Sequence, residues 1–304
     1  MRKRIKNSPG GRCYGSDCRA CDDHCAINMG EEPDFETDDE IIAIEELYGR
    51  VKNSDDQQFL FEVATTCREL FISELAVSKI TDEALLYMIA KTNFTWSTAV
   101  VGYSWIDLQH SCIDRIGNPA LLLDLANDAH SYAVTKINDQ TALKTLAQHG
   151  DTAISAAAAK KIKDSAFLKA LVQNDDRAYV RGAAVCNPSL IDESVITDVL
   201  KNDGDRVTRM QAMMNPNLTD QAAIADAAMN DSYVYVRERA ARKLTDQNLL
   251  SYLAENDADE IVRKAAVENQ NMNDMPMLAK ILENDRMWHV RRAVEKRLRE
   301  AAAS

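Results

Sequence analysis

Apolar and polar positions recur along most of the chain with the spacing of short α-helices, and polar turns separate one helix from the next. A first helix is predicted from Ile41 to Lys52, and from Asp55 to Ser304 one helix follows another. The pattern predicts an all-α protein.

The stretch from Asp231 to Asn256, DSYVYVRERAARKLTDQNLLSYLAEN, shows how two helices make one unit. VRERAARKL is predicted as the first helix, and the turn L-T-D places an aspartate where it caps the second helix, QNLLSYLAEN. Asn256 and Asp257 then end that helix. The positions expected to be buried are Val236, Ala240, Leu244, Leu249, Leu250 and Leu253.

Units of this kind repeat, and an aspartate followed six residues later by an arginine marks them. The arginines are 28, 28, 26 and 28 residues apart. We interpret the pairs as a structural ladder in which each aspartate accepts hydrogen bonds at a helix start and its arginine bridges neighbouring units; the alternative is an exposed ligand-binding row. The pairs are Asp175/Arg181, Asp203/Arg209, Asp231/Arg237, Asp257/Arg263 and Asp285/Arg291. Upstream, Asp151 and Asp128 continue the series with Ala157 and Val134 in the arginine position.

A second marker, an apolar residue followed two positions later by aspartate, recurs once per unit. The aspartates, each placed to cap a second helix, are Asp139, Asp164, Asp192, Asp220, Asp246 and Asp274. One helix pair is too short to be stable alone in water, whereas stacked pairs bury a continuous core. The repeats therefore predict a right-handed α-solenoid of two-helix units.

Composition and charge agree with this architecture and exclude some classes of partner. Glycine (10) and proline (6) are scarce among 304 residues of which 46% are hydrophobic. The formal net charge of −12 makes nucleic acid an unlikely partner, since an acidic chain is repelled by phosphate backbones. No apolar run is long enough to span a membrane, so we expect no transmembrane helix and no membrane partner. The clustered cysteines and the lack of a secretory signal predict a cytoplasmic protein.

Four cysteines within thirteen residues carry the clearest chemical signal. Cys13, Cys18, Cys21 and Cys25 are spaced C-x4-C-x2-C-x3-C. Four thiolates this close can bind an iron–sulfur cluster or a structural zinc ion. Zinc sites commonly use two C-x2-C pairs that are far apart, whereas here only one such pair occurs and all four ligands share a tight loop. This favours a 4Fe–4S cluster as the cofactor, with Zn²⁺ as the alternative.

The repeats resemble the leucine-rich repeat variant (LRV) type, a relative of HEAT repeats. The resemblance rests on V-R, A-A and N-P motifs, and the dipeptides are Asn118–Pro119, Asn187–Pro188 and Asn215–Pro216. It covers residues 104–298, although the C-terminal units are longer than is typical and the last two lack N-P. Proteins of this type are known with an N-terminal cysteine cluster that binds 4Fe–4S. The resemblance thus implies that cofactor for the loop CYGSDCRACDDHC.

We therefore predict three regions: a basic arm and cysteine cluster module (1–30), an acidic linker with the first helix (31–55), and a solenoid (56–304). No catalytic motif occurs, so an enzyme is not favoured. The predicted function is a 4Fe–4S protein whose solenoid binds a protein partner, for instance a redox protein, with electron transfer, redox sensing or a structural role open for the cluster. The alternatives are a zinc-stapled scaffold and a nucleic-acid-binding solenoid. The other cysteines, Cys67, Cys112 and Cys186, are predicted to be buried small hydrophobes.

Overall fold

The computed structural model describes residues 38–67, 69–92, 105–128 and 130–303. All regular structure in these ranges is helical, which confirms the all-α prediction. The helices are α1 (Asp38–Asn53), α2 (Gln57–Thr66), α3 (Leu70–Lys79), α4 (Glu83–Lys91), α5 (Trp105–Arg115), α6 (Pro119–Asn127), α7 (Ser131–Val134), α8 (Gln140–Ala147), α9 (Thr152–Ala159), α10 (Ser165–Asn174), α11 (Ala178–Cys186), α12 (Glu193–Asn202), α13 (Arg206–Ala212), α14 (Gln221–Asn230), α15 (Val234–Lys243), α16 (Gln247–Asn256), α17 (Glu260–Glu268), α18 (Met275–Asn284) and α19 (Trp288–Ala303).

The helices pack as successive pairs in two compact units, Met1–Lys136 and Ile137–Ser304. In unit 1 the helices α1, α3, α5 and α7 pack side by side in one row, and α2, α4 and α6 form a second row. In unit 2 the first helices of the pairs, α9 to α19 by odd number, form one row, and the second helices α10 to α18 form the other. The alternation thus begins at α1, upstream of residue 56, where the solenoid was predicted to begin.

The pair α15–α16 matches the predicted unit closely. Its helices, Val234–Lys243 and Gln247–Asn256, begin and end within two residues of the expected positions. The predicted core positions are buried except Leu249, which is half-buried at the edge of α16. Amphipathic spacing therefore located both the helices and most of their buried faces.

Aspartates begin most of the second helices, as the second sequence marker predicts. The side chains that accept backbone N–H groups there are those of Asp139, Asp164, Asp220, Asp246 and Asp274. Asp192 differs, because its carboxylate accepts the Ser194 hydroxyl and the Lys169 ammonium instead of a backbone group. These caps satisfy donors that the first turn of a helix leaves unpaired.

Small side chains allow the first helices to pack closely. Ala183 and Ala184 of α11 are buried, as are Ala240 and Ala241 of α15. The second helices contribute larger buried residues such as Leu250, and they contact one another less than the first helices do. None of the helices in the described ranges combines the length and apolar character that a bilayer crossing requires.

Candidate functional site

The four clustered cysteines, Cys13, Cys18, Cys21 and Cys25, lie outside the described residues, so the cluster stays a prediction from their spacing. Within the described ranges, no three His, Cys, Asp or Glu side chains are placed to hold a metal ion.

The other cysteines only partly match the prediction that they are buried. Cys112 is fully buried, and burial raises the pKa of its thiol to about 12. Cys67 and Cys186 are half-buried rather than buried, and burial raises the pKa of each thiol.

The repeated Asp–Arg pairs form a structural ladder in unit 2. The arginine Nε atoms lie 2.7–3.0 Å from a carboxylate oxygen of the aspartate in the next pair. Each arginine also donates an Nη1 hydrogen to the backbone carbonyl of its own aspartate, six residues earlier. The carboxylates are only 6–8% exposed, which excludes the alternative of an exposed ligand-binding row. The bridges are Arg181–Asp203, Arg209–Asp231, Arg237–Asp257 and Arg263–Asp285.

The ladder aspartates differ in one respect from the prediction, because they end the second helices instead of starting the next ones. Asp203, Asp231 and Asp285 are C-terminal caps, and each carboxylate accepts the backbone N–H two residues later. Burial alone would raise the pKa of these carboxyls, but the arginine bonds outweigh it and hold the pKa below its ordinary value.

The sequence analysis placed the arginine-equivalent position of α9 at Ala157, whereas the structure places it two residues earlier, at Ser155. Asp151 accepts backbone N–H groups at the start of α9, so it is a cap and not a ladder aspartate. The hydroxyl of Ser155, not Ala157, donates to a carbonyl six residues earlier, that of His149. Asp175 therefore has no arginine in the preceding pair and is bonded by Arg177 of its own loop.

A second ladder, which the sequence analysis missed, joins the ends of neighbouring first helices. Asn215, fully buried, donates through Nδ2 to carbonyls at the end of α11. Lys243 takes this position in α15 and donates to the carbonyl of Asn215 at 2.8 Å. The donors in unit 2 are Asn187, Asn215, Lys243, Asn269 and Arg297. Their spacing, 28, 28, 26 and 28 residues, equals that of the ladder arginines and was the available signal.

The same arrangement occurs in unit 1. Lys79 donates to the carbonyls of Val51 and Lys52, and Arg115 donates to those of Val77 and Ile80. The motif N-P is therefore not the essential feature at this position, because asparagine, lysine and arginine each bond the preceding helix end.

One face of the first helices in unit 2 exposes a row of apolar side chains. The residue two positions before each ladder arginine points away from the core, although large apolar groups are usually buried. Across α11, α13, α15 and α17 these residues are Tyr179, Val207, Tyr235 and Ile261, with exposed fractions of 57%, 39%, 45% and 37%. We call them the apolar row.

A cleft of about 300 Å³ opens beside the first two members of the apolar row, between α11 and α13. Gly182 lines it together with Tyr179, Val207 and Gln211. Gly182 is itself buried, and a Cβ atom at this position would lie 3.4 Å from Cγ of Gln211, in van der Waals contact with α13. Lys160 lines the same cleft, and its Nζ lies 5.9 Å from the centre of the Tyr179 ring.

The positive residues on these helices are mostly neutralised. Arg242 pairs with Glu238 and Glu268, and Lys264 also pairs with Glu268. Arg237, Lys243 and Arg263 belong to the two ladders. Most of the positive side chains on α15 and α17 are therefore used within the fold.

Arg239 of α15 is an exception, because it forms no ion pair with any residue in the described ranges. Its Nε is buried and has no hydrogen-bond partner.

Comparison of the sequence with protein-family models found no match, and comparison with curated proteins found none either.

Proposed function

We propose that this protein is an iron–sulfur-binding scaffold, in which a cysteine loop holds a 4Fe–4S cluster and a right-handed HEAT/LRV-type solenoid binds a protein partner. The observation that carries the proposal is the spacing of Cys13, Cys18, Cys21 and Cys25. The proposal places the protein in the cytoplasm, where cysteines stay reduced and available as ligands.

The cluster half of the proposal follows from ligand chemistry. Thiolates are soft ligands, and four of them in one short loop suit a cluster larger than a single ion. When bound, a 4Fe–4S cluster supplies one-electron redox chemistry. The chain contributes the four sulfur ligands and, at Arg12 and Arg19, positive charge next to them in sequence.

The scaffold half is supported by the way in which polar groups are used in the described helices. The ladders bond arginine, aspartate and asparagine side chains between neighbouring repeats, so these groups fix the spacing of the repeats. The apolar row and its cleft remain exposed on the first helices. An exposed apolar surface of this kind is typical of a site that binds another protein.

Anaerobic purification followed by iron, sulfide and zinc analysis tests the proposal. We expect a brown protein with about four iron atoms and four sulfides per chain. Cys18→Ser should lose the metal and keep its far-ultraviolet circular dichroism, whereas Cys186→Ser, a matched control outside the loop, should retain both. One zinc ion per chain without iron would favour the zinc-stapled scaffold, and absence of both metals would refute the cofactor assignment.

A further inference from the structure

The arginine ladder of unit 2 reaches its last helix, α19, with an arginine that has no aspartate. Arg291 is half-buried, and no carboxylate in the described ranges pairs with it. Its Nη1 donates to the carbonyl of Asp285 at 2.6 Å, as each bridging arginine does to the carbonyl six residues earlier. Because this bond is the same, we expect the Nε–Nη2 edge of Arg291 to be directed as in the bridges, toward the position of a following pair.

The four bridges show what this edge of the guanidinium binds. In Arg209 the Nε atom lies 2.8 Å from one carboxylate oxygen of Asp231, and Nη2 lies 2.9 Å from the other. The other three bridges use the same two atoms in the same way. Two charge-assisted bonds of this kind are stronger and more selective than one. Arg291 is therefore oriented in advance for one carboxylate.

Trp288, three residues before Arg291, is a second group that extends from the start of α19. Its side chain is 61% exposed, although tryptophan is usually well covered. The same position in α13 is Arg206, whose guanidinium carbon lies 4.8 Å from the centre of the Tyr233 ring in the following pair. Tyr233 itself comes two residues after the bridged Asp231. A ligand carboxylate on Arg291 would thus bring the residue two positions later to the indole of Trp288.

Two features of α19 show that the repeat pattern stops there. The helix continues to Ala303, past Arg297, whereas the other first helices of unit 2 end at or before the equivalent position. The residue four positions after each bridging arginine is apolar and buried, but in α19 it is Glu295, which is exposed. The buried residues are Val185, Met213, Ala241 and Val267. A charge at this position opposes the stacking of a further repeat or of a second copy, so we expect a ligand to contact only the first turns of α19.

The charges of α19 favour an acidic ligand. The helix contains five basic and two acidic residues. Both acidic residues already face a basic side chain one turn away: Glu300 is 3.8 Å from Lys296, and Glu295 is 3.8 Å from Arg299. Arg292 is exposed and has no ion-pair partner in the part of the chain that the structure describes. Positive charge is therefore in excess at the start of the helix, where the ligand would bind.

We propose that the start of α19 binds an acidic segment of a partner protein, with an aspartate or glutamate carboxylate on Arg291 and the residue two positions later against Trp288. That residue is expected to be aromatic or cationic, because both kinds of side chain stack on an indole ring. The proposal rests on the scaffold half of the proposed function and identifies the class of its partner.

A fluorescein-labelled peptide with the sequence of residues 221–235 tests the proposal. It contains Asp231 and Tyr233, which occupy the equivalent position in the bridge to Arg209. Titration with the full chain, followed by fluorescence anisotropy, should show saturable binding. The same peptide carrying Asp231→Asn should bind about tenfold more weakly, because an amide is neutral and offers only one acceptor oxygen.

Variants of the full chain separate the two-point bond from charge alone. Arg291→Lys keeps the positive charge but loses the planar fork, and it should weaken binding about tenfold. Arg292→Lys, the matched control at the neighbouring position, should leave binding within about twofold. Trp288→Ala should weaken binding about fivefold. Thermal unfolding of each variant checks that the fold is intact.

Several results would overturn the proposal. They are the absence of saturable binding, equal losses from Arg291→Lys and Arg292→Lys, and unchanged binding of the Asp231→Asn peptide. Sedimentation that shows dimers dependent on Arg291 would assign this surface to a second copy of the chain instead. Binding of a labelled oligouridylate that depends on Arg291 would assign it to nucleic acid.

The cofactor and the peptide site fail independently. Cys18→Ser should bind the peptide as the parent chain does, because the proposed site uses only residues of α19. A preparation without iron that still binds the peptide would refute the cluster and support the peptide site. An iron-loaded protein that does not bind the peptide would do the reverse.

Discussion

Replacing Asn215 by alanine should destabilise unit 2 by about 3 kcal/mol. The Nδ2 group of Asn215 donates to the carbonyls of Val185, Asn187 and Leu190 at 2.8, 3.1 and 3.3 Å, and its Oδ1 accepts the backbone N–H of Asn217 at 2.8 Å. An amide has two donor hydrogens, so two of the three carbonyls are bonded at a time. Alanine therefore removes three hydrogen bonds in a fully buried site, each worth about 1 kcal/mol net.

Thermal unfolding followed by circular dichroism measures the effect. A loss of about 3 kcal/mol lowers the midpoint by roughly 6–12 °C for a unit of this length. The matched control is Asn202→Ala, because Asn202 is exposed and its side chain bonds only Asp198 of the same helix at 2.8 Å. That variant should lose less than about 0.5 kcal/mol. If the two variants have the same thermal midpoint, the asparagine ladder does not hold neighbouring first helices together.

The remaining predictions concern the arginine ladder and one thiol. Arg209→Ala should lower the free energy of unfolding in urea by about 2–4 kcal/mol, because it leaves the carboxylate of Asp231, only 7% exposed, without its ion-pair partner. Adding Asp231→Ala should restore part of that loss. An unchanged urea midpoint for Arg209→Ala would contradict the ladder. The carboxyls of Asp203, Asp231 and Asp285 have lowered pKa values in the folded state, so their contribution to the free energy of unfolding is complete above the unfolded pKa of about 4. This contribution is lost as the pH falls further, and the urea midpoint should therefore drop between about pH 4 and 2. A urea midpoint that stays constant over that range would contradict the expectation. Cys112, with a thiol pKa of about 12, should stay unmodified by iodoacetamide at pH 8 in the native protein and react once it is unfolded, as peptide mass mapping would show.

The fold could be predicted from sequence because its local signals agree with one another. Apolar spacing placed α15 and α16, and the aspartate before each second helix located most of the turns. The register failed at α9, where Asp151 resembles a ladder aspartate but caps the helix. Sequence spacing alone does not distinguish these roles, because both place an aspartate close to a turn.

The apolar row and its cleft were harder to predict because their exposure depends on how neighbouring repeats pack. The cleft lies between α11 and α13, so its lining residues come from separate repeats and are brought together only by the packing of those helices. The unpaired state of Arg239 is likewise invisible in a sequence where acidic residues are close by. By contrast, the cysteine spacing was evident from the sequence, and it still carries the cofactor prediction alone.

The arginine ladder makes the repeats interchangeable modules. Each ladder arginine bonds the aspartate of the following pair, so from α11 to α19 the bonds cross every boundary in the same way. Excision of residues 204–231, one period of 28, leaves Arg181 with Asp203 and Arg237 with Asp257. A gene encoding this chain can therefore gain or lose whole periods by recombination without leaving a ladder arginine or aspartate unpaired. The length of the protein can vary in steps of one repeat.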